Sequence, residues 1–142
     1  VAKKRREETG MPCAAIELAD GTMITSSSSE LLGPSAALLL NATKYLAGID
    51  HKVKLIPQEM IEPIQKTKVE YLGGNNPRLH TDEVLVALSV LSQVDDNCRK
   101  ALEQLPMLRG CQIHSTVMLS EVDHKIFKKL GVGLTCDPIK KK

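Results

Sequence analysis

The alternation of apolar and polar residues near the start of the chain predicts a β-hairpin. Two short, mainly apolar segments, 13–18 and 22–25, flank the dipeptide Asp20-Gly21. Gly tolerates the positive φ that a tight turn between antiparallel strands requires, so this dipeptide is a strong hairpin signal. The charged segment 3–9, which comes before the hairpin, is expected to form a short leading helix.

Helical periodicity dominates the rest of the chain. Pro34 in the first turn and Gly48 after the last turn mark both ends of a helix over 36–47. Its nearly continuous apolar run predicts burial on most sides. The other predicted helices are 58–72, with a kink or restart at Pro63, then 82–94, 96–105 and 121–130.

Three further segments have the composition and length of strands. They are 52–56, which is stopped by Pro57, then 111–119 and 133–136. With the hairpin, the order becomes ββαβα, two extra helices, then βαβ. Strand–helix–strand units with right-handed crossovers place helices on both faces of a sheet. The sequence therefore predicts a single α/β domain over 1–142, a three-layer α/β/α sandwich whose mixed sheet has about five strands.

Two helix starts carry capping signals. Thr81 is predicted as an N-cap, and Asp82 and Glu83 complement the positive end of the helix that follows. The segment 120–123 has the S-x-x-D spacing of a capping box, with Asp where Glu or Gln is usual.

Composition limits the classes of function. The chain has 142 residues, 42% of them apolar and 25% charged, which is enough to bury one substantial core. A net charge of +2 is too small to predict nucleic-acid binding, and the basic clusters 3–6 and 140–142 stand at the ends. The sequence contains no membrane-span pattern and no signal peptide, so a cytoplasmic location is expected. The four cysteines lack a CxxC spacing, which favours reduced thiols.

The order of elements resembles the cytidine-deaminase-like fold. In that family, zinc is held at two helix N-termini by His or Cys followed by x-Glu and by Pro-Cys-x-x-Cys, and the Glu moves protons. The matching places here read Pro34-Ser35-Ala36-Ala37 and Pro57-Gln58-Glu59-Met60. These residues do not form a tight zinc shell, so no metal and no cofactor are predicted. Ser35 is interpreted as a helix cap, with anion binding at that helix start as the alternative.

Longer strings resemble a more specific family. They are EPIQKTKVEYLG (62–73), NPRLHTDEVL (76–85), QLPMLRGCQIHST (104–116) and AIELADG (15–21). They are similar to the C-terminal domain of an uncharacterised bacterial family, domain of unknown function 1846. The resemblance runs from Cys13 to Pro138 and implies a domain of a larger protein, which the start at Val1 without Met also favours. It implies no catalytic residues, and the phosphate-loop spacing of that family's N-terminal part is absent from 73–78.

Six polar residues are the candidates for a binding site: Asn76, Arg78, His80, Arg109, His114 and Ser115. The two histidines titrate near neutrality, and the two guanidiniums bind anions. A structural role is open to each histidine, either beside a helix start or hydrogen-bonded within a covered strand. If strand 52–56 runs parallel to 111–119, the loop 73–80 lies at the amino edge of the sheet, together with Arg109.

Two functions are compatible with these residues. The first is a zinc-less, deaminase-like binding or assembly module that contacts an N-terminal domain of the same protein or a second copy of the chain. The alternative is an enzyme domain that binds an anionic, nucleotide-like ligand. In that case Asn76 and Arg78 hold the ligand, Ser115 donates a hydrogen bond, and His80 or His114 acts as general base.

Overall fold

The described part of the chain is a four-stranded mixed sheet with five helices. The computed structural model describes residues 13–27, 29–116 and 119–136. The elements are β1 (Cys13–Glu17), β2 (Met23–Ser27), α1 (Pro34–Leu46), α2 (Gln58–Lys66), α3 (Thr81–Leu91), α4 (Asp96–Leu102), β3 (Gln112–Ser115), α5 (Glu121–Leu130) and β4 (Gly133–Cys136). A π-helical turn, Thr67–Tyr71, extends α2, and a 3-10 turn, Leu105–Leu108, follows α4.

The sheet has the strand order β2-β1-β3-β4. Strand β1 is antiparallel to both β2 and β3, whereas β3 and β4 are parallel. Ile16 in β1 pairs with Ile24 on one side and with Ile113 on the other, so apolar side chains form a row across one face. The predicted hairpin is confirmed, and Gly21 at its turn has φ +86.

Helix α1 is buried between two cores, which confirms the burial predicted from its apolar run. Leu38, Leu39 and Ala42 face a core that the sheet shares with α1 and α5. Ala36 and Leu40 face a second core, built from α2, α3 and α4. A helix that is apolar nearly all round can serve both cores because each takes a different face of it.

Helices α1 and α5 pack on the same face of the sheet. Ala14 and Ile16 point into the core beneath these helices, and so does Phe127 of α5. Side chains alternate along a strand, so Cys13 and Ala15 point to the opposite face, where they form a separate buried pair.

The predicted strand over 52–56 is wrong. Residues 50–57 form turns and bends in the structure. Asp50 begins a turn, since its carboxylate accepts from Lys52 N (2.9 Å) and its carbonyl accepts from Val53 N (3.0 Å). The adjacent residues Leu55 and Ile56 are both buried in the helical core. In a strand with one exposed face, adjacent side chains point to opposite sides, so only one of the two would be buried.

Other boundaries differ by a few residues. Helix α2 continues through Pro63 and becomes π-helical only at Thr67, so it does not restart at the proline. Helices α3 and α4 and strand β3 are each shorter than predicted. The leading helix expected over 3–9 lies outside the described residues. Within the described ranges, no helix combines the length and apolar character needed to cross a membrane.

The loop 50–57 is fastened to α1 by one lysine. The ammonium group of Lys44, in the last turns of α1, is buried and donates to the carbonyls of His51 (2.8 Å) and Val53 (2.9 Å). Burial lowers the pKa of Lys44 below 10.5. Two carbonyls that have no strand partners are thus satisfied by a side chain.

Lys44→Met retains the aliphatic stem and removes both of these hydrogen bonds. The free energy of unfolding is expected to fall by ~1–3 kcal/mol, because hydrogen bonds from a charged donor are lost and the carbonyls lose their partner. Urea denaturation measures the change. Lys129→Met, at an exposed position of α5, is the control and should stay within about 0.5 kcal/mol of the parent. Equal midpoints for the two variants would contradict the role of Lys44.

Candidate functional site

Buried polar residues concentrate at one edge of the sheet. Eight buried polar residues are found among the described residues. Six of them lie at the carboxyl end of β3 or at an end of an element beside it. These six are Ser26, Ser35, Thr81, Ser115, Thr116 and Asp123. The starts of α1, α3 and α5 meet here, and we refer to this region as the polar edge. Buried polar groups are costly unless they are paired, so each of them needs a partner.

Asp123 is the central side chain of the polar edge. Its Oδ1 accepts two hydrogen bonds from Thr81, one from the backbone N (3.0 Å) and one from Oγ1 (2.6 Å). A carboxylate of α5 therefore caps the positive end of α3, across 42 positions of sequence. Ser120 caps α5 in turn, since its Oγ accepts from Asp123 N (3.2 Å). The predicted cap at Ser120 is thus confirmed, while the Asp123 carboxylate bonds another helix.

His80 lies between this buried carboxylate and solvent. It is the N-cap residue of α3, and its backbone N donates to Glu83 Oε1 (2.8 Å). Its Nδ1 lies 3.9 Å from Asp123 Oδ2, which is an ion-pair distance and too long for a hydrogen bond. The His80 side chain is 29% exposed and that of Asp123 is 7% exposed. The His80 ring therefore has the buried carboxylate on one side and solvent on the other.

The side chains of the loop 73–80 have structural partners. Asn76 Oδ1 accepts from Arg78 N (3.0 Å), which closes a local turn. Arg78 Nε donates to the carbonyl of Ser29, and Lys68 Nζ donates to Arg78 O (2.6 Å) and to Glu83 Oε1 (2.8 Å). The Arg78 bond holds the loop against the segment that leads into α1, and Lys68 joins the loop to the π-helical turn and to α3.

Only part of the predicted set comes together. Arg78 and His80 lie at the polar edge, and Ser115 ends β3 at the same edge, with its side chain on the Ile113 face. His114 points to the opposite face, beside Ala15. The two histidines are therefore on different sides of the sheet.

Arg109 lies at the other end of α5. Gly110 N donates to Gly131 O (2.8 Å), and a Cβ atom on Gly131 would lie 2.9 Å from Arg109 Cγ. Eight residues of helix separate Asp123 from Gly131, roughly 12 Å. The prediction that Arg109 and the loop 73–80 share the amino edge is wrong, because it started from a strand at 52–56 that does not form.

Sequence reasoning missed Asp123, and it assigned Ser35 to a capping role that the structure does not give it. The sequence predicts a local capping box for Asp123 and a helix cap for Ser35, but the N-cap of α1 is Gly33. Thr81 likewise is the first helical residue rather than the cap. A carboxylate on the apolar stripe of α5, four residues before Phe127, is the signal that could have pointed to a buried role for Asp123.

No metal site is evident among the described residues. They contain no group of three or more His, Cys, Asp or Glu side chains that could hold an ion. A shallow groove of ≈ 390 Å³ runs beside α5 and β4. It is lined by residues 131–134 and by three basic side chains, His124, Lys125 and Lys128. None of the predicted site residues lies in this groove.

An apolar stripe covers the outer face of α3. Val86, Val90 and Val94, the last of them in the turn after the helix, are 65%, 61% and 85% exposed. Their spacing of four aligns them on one side. Ser89 and Gln93 lie beside them, so this face carries no charged side chain between Val86 and Val94, whereas Asp82, four residues before Val86, is charged. The solvent face of a surface helix is normally charged or strongly polar, and three aligned valines therefore mark a surface that another protein segment can cover.

Comparison with known proteins shows the family. A family described as "Domain of unknown function DUF1846, C-terminal" matches residues 1–142. The chain belongs to this family. The UPF0371 protein DIP2346 of Corynebacterium diphtheriae is 55% identical over 137 residues, which are 96% of this chain and 28% of the relative. A UPF0371 protein of Streptococcus pneumoniae (strain P1031) is 45% identical over 97% of this chain and 28% of its own length.

This DUF1846 C-terminal domain spans little more than a quarter of the length of the relatives that it matches. In these relatives, more than two thirds of the chain lies outside the region of similarity.

Asp123→Ala tests the junction between α5 and α3. It is expected to lower the free energy of unfolding by ~2–4 kcal/mol, because Thr81 N and Oγ1 lose their acceptor in a buried position. Asp123→Asn keeps an oxygen acceptor and should cost about 1 kcal/mol. Urea denaturation of both variants measures the difference.

Glu121→Gln is the matched control for this prediction. It changes an exposed carboxylate in the same turn of α5 and is expected to stay within about 0.5 kcal/mol of the parent. If Asp123→Ala were as stable as this control, the carboxylate would not be what joins the two helices.

Proposed function

We propose that this domain is an assembly module whose valine stripe packs against another part of the same, longer protein. The observation that carries the proposal is the exposure of Val86, Val90 and Val94 on a helical face that is uncharged between these residues. The binding or assembly hypothesis from the sequence thereby acquires a specific surface.

Covering this stripe is energetically favourable. Fully burying a valine contributes roughly 1.5–3 kcal/mol relative to leaving it exposed. Ser89 and Gln93, the polar residues of the same face, are uncharged and cost little to desolvate if they find hydrogen-bond partners. Three aligned apolar side chains also match the way in which helices pack, with ridges formed by every fourth residue.

The occupant that we propose is the portion of the protein outside this domain. The relatives carry more than two thirds of their length there. A segment joined covalently to the domain meets the stripe at a high effective concentration, so a small apolar contact suffices to hold it. A second copy of the chain has no such advantage.

A second candidate function is supported by His80. An enzyme domain that binds an anionic, nucleotide-like ligand could use this histidine as general base, because Asp123 stands behind it and solvent in front. Arg78 would contribute to holding the ligand. His114 lies on the other face of the sheet, which leaves His80 as the histidine at this position.

We extend the proposal to the fold of the complete domain, as a three-layer, cytidine-deaminase-like arrangement without zinc in a cytoplasmic protein. The order hairpin, helix, then β3-α5-β4 supports this, with the third strand at Gln112–Ser115. The helix after the third strand is α5, so the second zinc motif of that fold corresponds to the start of α5 at Glu121. The residues Ser120-Glu121-Val122-Asp123 contain no cysteine, which supports the absence of a zinc shell.

Cysteine labelling of the full-length protein tests the docking surface. Val90→Cys is expected to react with a maleimide at least about tenfold more slowly than Lys129→Cys, because the thiol at residue 90 is covered. Lys129 is exposed on α5 and serves as the control. Cys136→Ser is the background, since the thiols of Cys13, Cys98 and Cys111 are buried and burial raises the pKa of Cys98 to about 11.

Equal labelling rates at residues 90 and 129 would refute the assembly proposal. If the protection of residue 90 disappeared on dilution, the stripe would be covered by a second copy of the chain and the proposed occupant would be wrong. Val90→Lys provides an independent measurement, because a charge on the stripe should weaken docking without unfolding a domain in which residue 90 is exposed.

A further inference from the structure

Helix α1 begins differently from the other helices at the polar edge. Its N-cap is Gly33, no side chain caps its first N–H groups, and its first turn contains no acidic residue. At the start of α3 the Asp123 carboxylate accepts a backbone N–H bond, and at the start of α5 the Ser120 hydroxyl does so. The positive end of a 13-residue helix is therefore left without a compensating group from the described residues.

Ser35 adds an independent observation. It occupies the first turn of α1, is 2% exposed, and its Oγ has no hydrogen-bond partner among the described residues. Within these residues it is the only buried side-chain nitrogen or oxygen in that condition. Buried hydroxyls are nearly always paired, so an unpaired one marks a place where a bound molecule or ion can supply the partner. The Cα–Cβ bond of a helical residue tilts toward the N-terminus, which directs this hydroxyl to the start of α1.

The N–H groups of Ser35 and Ala36 are the next donors. The first intrahelical bond of α1 joins Ala37 N to Gly33 O (3.0 Å). Pro34 has no N–H, so the groups of Ser35 and Ala36 precede the helical ladder. Ser26 does not compete for this position, because its hydroxyl donates to Pro34 O (2.7 Å).

Arg78 brings a positive charge to the segment that leads into α1. Its Nε donates to the carbonyl of Ser29, and the next residue, Leu79, accepts from Gly33 N (3.2 Å). A guanidinium has five N–H donors, and Nε is one of them. The two Nη groups can therefore bind an oxyanion while the loop stays attached.

We propose that the start of α1 binds a phosphate group through Ser35 and the N–H groups of Ser35 and Ala36, with Arg78 supplying the charge. All of these groups are donors, which selects an anion. Donors that arrive from several directions suit a tetrahedral dianion better than a planar carboxylate. The phosphate is free or is the terminal group of a small monoester. This site is separate from the valine stripe, so its test does not depend on the assembly proposal.

Entry to the site requires movement of residues 29 and 30, because backbone bonds to Leu79 hold residues 31–33, with Leu79 N on Leu31 O (3.0 Å) and Gly33 N on Leu79 O (3.2 Å). Side chains tie residues 29 and 30 down, with Arg78 Nε on Ser29 O and Gln65 Nε2 on Glu30 O (2.9 Å). Both bonds come from long side chains at the surface, which exchange partners at little cost. Transfer of the Arg78 guanidinium from the Ser29 carbonyl to the phosphate would release Ser29 and complete the site.

A phosphate titration of the 142-residue chain, followed by amide chemical shifts, tests the proposal. Inorganic phosphate is expected to move the Ser35 and Ala36 amide signals in a saturable manner, whereas acetate or chloride at the same ionic strength leaves them in place. Ser35→Ala should weaken phosphate binding about tenfold or more, since a hydrogen bond to a charged acceptor is lost. Ser89→Ala, an exposed serine on α3, is the matched control and should bind as the parent does.

A second measurement separates a ligand donor from a structural hydroxyl. Without phosphate, Ser35→Ala should have a melting temperature equal to or above that of the parent, because it removes a buried group without a partner. A lower melting temperature, an unchanged affinity in Ser35→Ala, or equal shifts with acetate would each overturn the proposal. Glycerol phosphate in place of inorganic phosphate distinguishes a monoester from the free ion, and binding of either one supports it.

Discussion

The hydrogen bonds from Thr81 to the carboxylate of Asp123 join the two parts of the helical layer. Helix α5 packs on the sheet, while α3 belongs to the second core, on the far side of α1. Asp123 supplies the acceptor that the buried start of α3 requires, and Thr81 supplies donors to a buried carboxylate. A buried carboxylate without donors and buried donors without an acceptor would each destabilise the fold. The two helices therefore fix one another's position. The place of His80 follows, because it immediately precedes Thr81.

The three helix starts at the polar edge satisfy their N–H groups in different ways. Helix α5 uses a local serine, and α3 uses a carboxylate from another helix together with Glu83. Helix α1 uses neither. Since Ser35 and Ala36 at its start are buried, bulk solvent does not supply the partner that the Ser35 hydroxyl lacks.

The sequence was informative where structure is local. The hairpin, the buried helix α1 and the helix start at Ser120 depend on neighbouring residues, and all were predicted. The segment 52–56 was misjudged because a short apolar run before a proline has the same pattern in a strand as in a loop pinned to a core. The junction of Thr81 with Asp123 spans 42 positions, and no periodicity encodes such a contact. The sequence identifies Arg78 and His80 as candidates, but the strand predicted over 52–56 places them at the wrong edge.

Helix α3 takes part in both surfaces. Its start forms part of the polar edge, its inner stripe contributes Val84 and Leu88 to the helical core, and its outer stripe is apolar and exposed. A rigid helix anchored by a buried carboxylate at one end presents its outer face at a fixed orientation, which is what a docking surface needs. Val90 lies nine residues beyond Thr81, about 14 Å along the axis. At that separation, substitutions on the stripe and at the polar edge act additively, and a deviation from additivity would show that docking and the polar edge are energetically coupled.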